Sequence, residues 1–148
     1  MALSDIAAGL EVTATQRERG PTTVDGTERA LADRLREFAA DLPCDAPTAA
    51  LLLEAYYDGG SVESAARAAG LAPVAGAKAL HLLGVDGLTP LSPLARDIVA
   101  DWLAGELSRS DALALTGAGE HEFALGAFVE AHDPLPGARA VVDGEFLR

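Results

Sequence analysis

The stretch Ser61–Gly84, SVESAARAAGLAPVAGAKALHLLG, reads as two short helices joined by a tight turn. Ser61 is a natural N-cap, and Glu63 and Ser64 follow in the first turn, where free N–H groups favour an acid or a small hydroxyl residue. Gly70 stops the first helix, and Pro73 pre-sets the first turn of the second. Ala66, Gly70 and Gly76 fall where a helix-turn-helix needs a small contact residue, a turn glycine and a small inward residue. On the second helix Val74, Lys78 and His81 stand at i, i+4 and i+7, on one outer face. Gly76, Ala79, Leu80 and Leu83 take the inner side, with Leu71 plugging the core after the turn.

Helical periodicity continues outward in both directions. Upstream, Asp45-Ala46-Pro47 reads as a cap and an early helical proline, opening a helix through Leu51–Leu53 and Tyr56-Tyr57 that Asp58-Gly59-Gly60 stops. Before it, Leu31, Leu35, Phe38 and Ala39 form one stripe that ends at Leu42-Pro43. Gly20-Pro21 and Asp25-Gly26 mark a linker, preceded by a short N-terminal helix with Leu3, Ile6, Ala7 and Leu10. Downstream, Val85–Pro93 is a loop or a tiny hairpin. Leu94–Ala104 is helical with Leu94, Ile98 and Trp102 on one face, and a helix beginning at Leu107-Ser108 runs to Thr116. Gly117-Ala118-Gly119 breaks the chain before a helix over Glu120–Ala131, which His132-Asp133-Pro134 ends. Ala138–Arg148 is a short helix or a tail. The fold class expected is all-α: a multi-helix bundle with little or no β structure. Its parts are an N-terminal helix (1–19), a linker (20–26), a trihelical helix-turn-helix core (27–93) and a C-terminal helical half sharing that core (94–148).

Composition agrees and adds a habitat. At 148 residues and 49% apolar content, rich in Ala and Leu with 5% aromatics, the chain suits one helical domain. Twenty-three acids oppose 11 bases, a formal charge of −12, and Lys78 is the only lysine. Acid excess with scarce lysine suits a halophile, because in molar salt the Debye length is about 3 Å and self-repulsion is screened. An acidic protein from a GC-rich bacterium has a similar composition. Met1–Leu10 lacks a basic region, so it does not read as a signal peptide. The longest uncharged apolar stretch, Ala68–Ala77, is broken by Gly70 and Pro73, which excludes a membrane span. A cytoplasmic location is expected. Cys44 stands alone and reads as a small core residue.

The outer face of the second helix carries the functional expectation. Val74, Ala77, Lys78 and His81 would meet the major groove of DNA, with Lys78 on a phosphate or guanine edge and Arg67 nearby. Residues 61–85 hold Arg67 and Lys78 against Glu63, a local relief from acidity. Beyond them, Gly87-Leu88-Thr89-Pro90-Leu91-Ser92-Pro93 leads into a helix. With that segment, Leu51–Leu103 resembles winged-helix transcription regulators. It departs from them in a short wing (Val85–Leu88) with an acidic tip, Asp86-Gly87. The whole chain also looks like small acidic helix-turn-helix proteins of haloarchaea. The resemblance implies a DNA-binding transcriptional regulator of a halophilic archaeon. A homodimer is expected, because one such unit buries little surface on DNA; its contacts would come from the N-terminal helix or the Phe123/Phe128 face.

The same spacing recurs at Leu113, Gly117 and Phe123, where the second helix would expose Glu120, His121, Ala124, Leu125 and Phe128. Residues 106–133 hold six acids and one base, Arg109, so this face suits a protein rather than phosphate. The alternative function is therefore a non-enzymatic adaptor binding a protein partner through Leu125 and Phe128, and a third reading is an accessory factor without chemistry of its own. No cofactor and no metal is expected. His121-Glu122 lacks a second histidine at position 125, and His121 and His132 lie about 16 Å apart along a helix. Three histidines without a strand–serine elbow give no hydrolase triad.

Overall fold

The computed structural model describes residues 30–147, so the N-terminal helix and linker expected over residues 1–26 lie outside the described residues. The chain divides into two compact units, Met1–Arg34 and Leu35–Arg148. Of the first, residues 30–34 are described and are helical (α1). The division falls inside the stretch read as one helix-turn-helix core, and the two helical halves on either side of Pro93 belong to one unit.

The second unit is built from helices throughout, with no strand among the described residues. A 3-10 helix over Arg36–Asp41 comes first, tighter than the α-helix expected there; it ends where Leu42 turns extended (φ −101°, ψ 154°) ahead of Pro43. Then follow α2 (Ala46–Tyr57), α3 (Val62–Ala68), α4 (Pro73–Leu82), α5 (Pro93–Leu103), α6 (Arg109–Thr116), α7 (Glu120–Ala131) and α8 (Ala138–Phe146). Caps expected from sequence are in place. The Thr48 N–H donates to Asp45 Oδ1 at 2.9 Å, and the Ser64 N–H to Ser61 Oγ at 3.0 Å, while Ser64 Oγ returns the favour to the Ser61 N–H. Ser92 and Ser108 cap α5 and α6 in the same way.

Helices α2, α3 and α4 pack on one another around Leu52, Leu53, Ala65, Ala66, Ala79, Leu80 and Leu83, all buried. Two alanine-rich helices bury little area unless their backbones come close. Here Gly76 makes that possible: a Cβ on it would lie 2.7 Å from Ala66 Cβ. Gly70 turns between the helices at φ +76°, a left-handed conformation that other side chains resist.

A second apolar cluster lies among α5, α6 and α7, formed by Leu91, Ala95, Val99, Ala112 and Phe123 with Ile98, Trp102, Leu107 and Leu113 around it. Gly126 lets Leu91 lie against α7, since a Cβ there would fall 2.2 Å from Leu91 Cδ1. Leu94, expected on one face with Ile98 and Trp102, is 70% exposed while those two pack against the core. It sits in the first helical turn, one residue off the stripe of Ala95, Ile98, Val99 and Trp102 that faces α6 and α7. Both Tyr56 and Tyr57 are half-buried, and Tyr57 stacks on Phe146 of α8 at 4.6 Å. No described helix is long and apolar enough to cross a membrane.

Candidate functional site

The outer face of α4 is where sequence placed the chemistry, and α7 packs against it. Val74, in the first turn, is exposed, as is Arg67 on α3. Ala77 and His81 are buried, so they do not form part of an open reading surface. His81 is only 9% exposed. Its Nε2–H donates to the His132 carbonyl at 2.5 Å, and its ring meets Phe128 edge-on at 6.2 Å. Lys78 is half-buried with its ammonium 5.0 Å from the Phe128 ring centroid, a cation–π contact of about 0.5–2 kcal/mol. The five residues expected to share one DNA face thus divide: Arg67 and Val74 stay open near the turn, while Ala77, Lys78 and His81 are engaged within the chain.

The physical reason is that an outer face is defined only within the α2–α3–α4 unit. The sequence of α4 shows two nearly apolar sides, and the second needs a cover. Phe128 supplies it, so this ring is turned to α4 and half-buried rather than presented to a partner. Leu125 is half-buried too, whereas Glu120, His121 and Ala124 are exposed as expected. Phe123 is fully buried, which closes the Phe123/Phe128 face as a dimer contact.

Residues 132–139 complete the cover, and sequence reading missed them. The Leu135 N–H donates to the Leu82 carbonyl at 2.8 Å, tying this segment to the last turn of α4. His132 caps α7: its Nδ1–H donates to the Phe128 carbonyl at 3.0 Å, and its ring stacks on Phe128 at 4.1 Å. The i,i+4 spacing of Phe128 and His132 is the signal that was available. Their pairing with His81, 51 residues earlier, left no local trace.

Two clefts flank this junction. One, of about 490 Å³, is polar and includes His81, Thr89, Arg96, Glu130, His132 and Arg139. Its guanidiniums are already held: Arg96 Nε donates to Glu130 at 2.7 Å, and Arg139 forks onto Asp86 at 2.6 and 3.0 Å. The hydrogen bonds and charge of Arg139 keep the Asp86 carboxyl below the usual carboxylate range. A carboxylate lowered in the folded state contributes stability above its unfolded pKa and loses it as pH falls through the folded one. Asp86→Asn is therefore expected to lower the melting temperature slightly at neutral pH, with the gap to wild type closing as the medium is acidified below the carboxylate range. A gap that persists or widens in acid would mean that the fork does not hold in solution. The other cleft, of about 580 Å³, lies between the 3-10 helix, α4 and α7 and is largely apolar.

Elsewhere the chemistry is quiet. Burial pushes the half-buried Cys44 thiol up, with the charge of Asp45 adding to it, which disfavours the reactive thiolate. The N–H groups ahead of α7 do not await an anion, because the Gly119 N–H donates to Glu122 Oε1 at 3.1 Å. Among the described residues no three His, Cys, Asp or Glu side chains gather around a point that would hold a metal ion.

Fold and site together define an all-helical protein in which α4, joined to α3 by a tight turn, is covered along its outer side by α7 and the segment after it. The chain belongs to a family of unknown function, DUF7858, whose model matches residues 1–148. No curated protein and no solved structure gives a significant match.

Proposed function

We propose that the protein is a non-enzymatic interaction module of a high-salt cytoplasm, in which the helix-turn-helix serves as a packing unit and a protein partner is contacted by the acidic C-terminal half. The observation that carries this reading is the cover on α4: His81 is buried against Phe128 and His132, Lys78 lies over the Phe128 ring, and Leu82 is tied to Leu135. A helix sheathed in this way cannot enter a major groove without detaching α7. In the C-terminal half, by contrast, Leu94 and Leu115 are 70% and 62% exposed on a strongly acidic surface. Leu125 and Phe128, the contact residues expected from sequence, are replaced in this role by these open leucines.

A second reading keeps DNA. The first turn of a recognition helix is the part that meets base edges, and here that turn is open, with Val74 and Arg67 exposed in a segment of near-neutral charge. Duplex binding measured across a salt series separates the two. Wild type is expected to show no binding at any salt. Binding that weakens steeply with salt and drops on Arg67→Ala plus Lys78→Ala would replace the adaptor with a regulator. Co-purification from the native host supplies the positive arm: a partner is expected to be lost on Leu115→Glu and retained on Val74→Glu, and the reverse pattern counts against the adaptor.

The high-salt element has its own test. With −12 net charge and one lysine, the melting temperature is expected to rise by several degrees from dilute buffer to molar KCl, as repulsion is screened. A midpoint indifferent to KCl would remove the halophile reading.

A further inference from the structure

Lys78 is the chain's only lysine, and it sits in an unusual place. It lines the largely apolar cleft with Leu42, Leu82, Phe128, Ala131 and Leu135. Among the described residues no carboxylate pairs with it. This holds even though Asp41 and Asp133 stand at the rim of the same cleft, both exposed. In a protein with twice as many acids as bases, a half-buried ammonium contacting only an aromatic ring is a cation short of an anion. The ion pairs Arg96–Glu130, Arg109–Glu120 and Arg139–Asp86 show that carboxylates elsewhere are recruited within hydrogen-bond reach.

We propose that this cleft binds a small aliphatic carboxylate, its head on Lys78 Nζ and its chain against Leu82, Ala131 and Leu135. The size agrees: about 580 Å³ falls in the range of small-molecule sites, which are mostly apolar with few polar groups fixing orientation. The head group follows from the donors. One ammonium, with no guanidinium among the lining residues, matches a monoanion; a phosphate calls for several converging donors. The two rim aspartates disfavour a dianion further, while their exposure leaves them solvated. A neutral apolar molecule would fill the cleft but leave Lys78 without its counter-charge. The site lies apart from the exposed leucines of the C-terminal half, so it stands or falls independently of the interaction reading.

Calorimetric titration of the full chain with octanoate and with 1-octanol tests this, in salt that keeps the protein folded. Octanoate is expected to bind one to one, about tenfold or more tightly than octanol, the factor that about 1.4 kcal/mol of head-group preference corresponds to. Lys78→Met keeps an apolar stem on Phe128 and is expected to bring octanoate down to the octanol level. Ala131→Trp leaves Lys78 in place, fills the cleft from an exposed position and is expected to abolish both. Equal affinity for the two probes overturns the proposal, as does no binding of either, or octanoate binding that survives Lys78→Met or Ala131→Trp. Should Lys78→Met fail to fold, the probe pair still tests the charge and Ala131→Trp the place.

Discussion

Phe123→Ala is expected to lower the unfolding free energy by about 3–5 kcal/mol, the usual range for deleting a fully buried aromatic ring. Phe123 is 0% exposed and sits at the centre of the cluster formed by Leu91, Ala95, Val99 and Ala112. Its ring lies 5.4 Å from that of Trp102, and the Arg109 guanidinium stands 5.0 Å from its centroid. That guanidinium is oriented by Glu120, whose carboxyl it lowers. Truncation thus leaves a cavity and removes the platform on which a surface ion pair rests. Since small domains are stable by only about 5–15 kcal/mol, the loss is a large share of the whole. Urea unfolding followed by Trp102, the sole tryptophan, measures it. A midpoint within error of wild type would mean that α5, α6 and α7 do not share this core.

The second large effect is expected at Gly76. A Cβ there would approach Ala66 Cβ to 2.7 Å and Ala66 Cα to 3.4 Å, so relief requires α3 and α4 to separate rather than one side chain to rotate. Gly76→Val adds branched carbons to that overlap and is expected to cost about 3 kcal/mol, at the upper end of ordinary overpacking. Gly76→Ala is expected to cost less, because replacing a helical glycine returns up to about 1 kcal/mol of propensity. Thermal unfolding of the two variants checks the order. A valine variant as stable as the alanine one would contradict the close approach of the two helices.

The elements were legible because their signals are local. Asp45, Ser61, Ser92 and Ser108 each accept a hydrogen bond from a backbone N–H three residues on, and such a cap depends on little beyond those few residues. Glu120–Ala131 was read to the residue, bounded by Gly119 and by a turn toward Pro134. The Ala66–Gly76 contact was legible for a related reason: a short turn leaves two alanine-rich helices few ways to pack. Where local signals were ambiguous the reading slipped. The chain before Pro43 tightened into a 3-10 helix, and Leu94 fell one residue off the stripe because its neighbour Ala95 takes the buried position in the first turn of α5.

The candidate site shows where locality ends. Sequence alone determined that α4 has an inner side of Gly76, Ala79, Leu80 and Leu83, all of them buried, because helical periodicity and the partner across the turn decide it. It could not determine what the opposite side meets. Lys78 and His81 form a surface or an interface according to whether another part of the chain arrives there, and the part that arrives is Phe128 and His132, with Leu135 on Leu82, some 50 residues away. Such an encounter is set by the packing of whole helices, by the area each must bury and by hydrogen bonds between distant backbone groups. Only the tertiary structure decided, therefore, that the face reserved for DNA in the sequence became the seam between two halves of the protein.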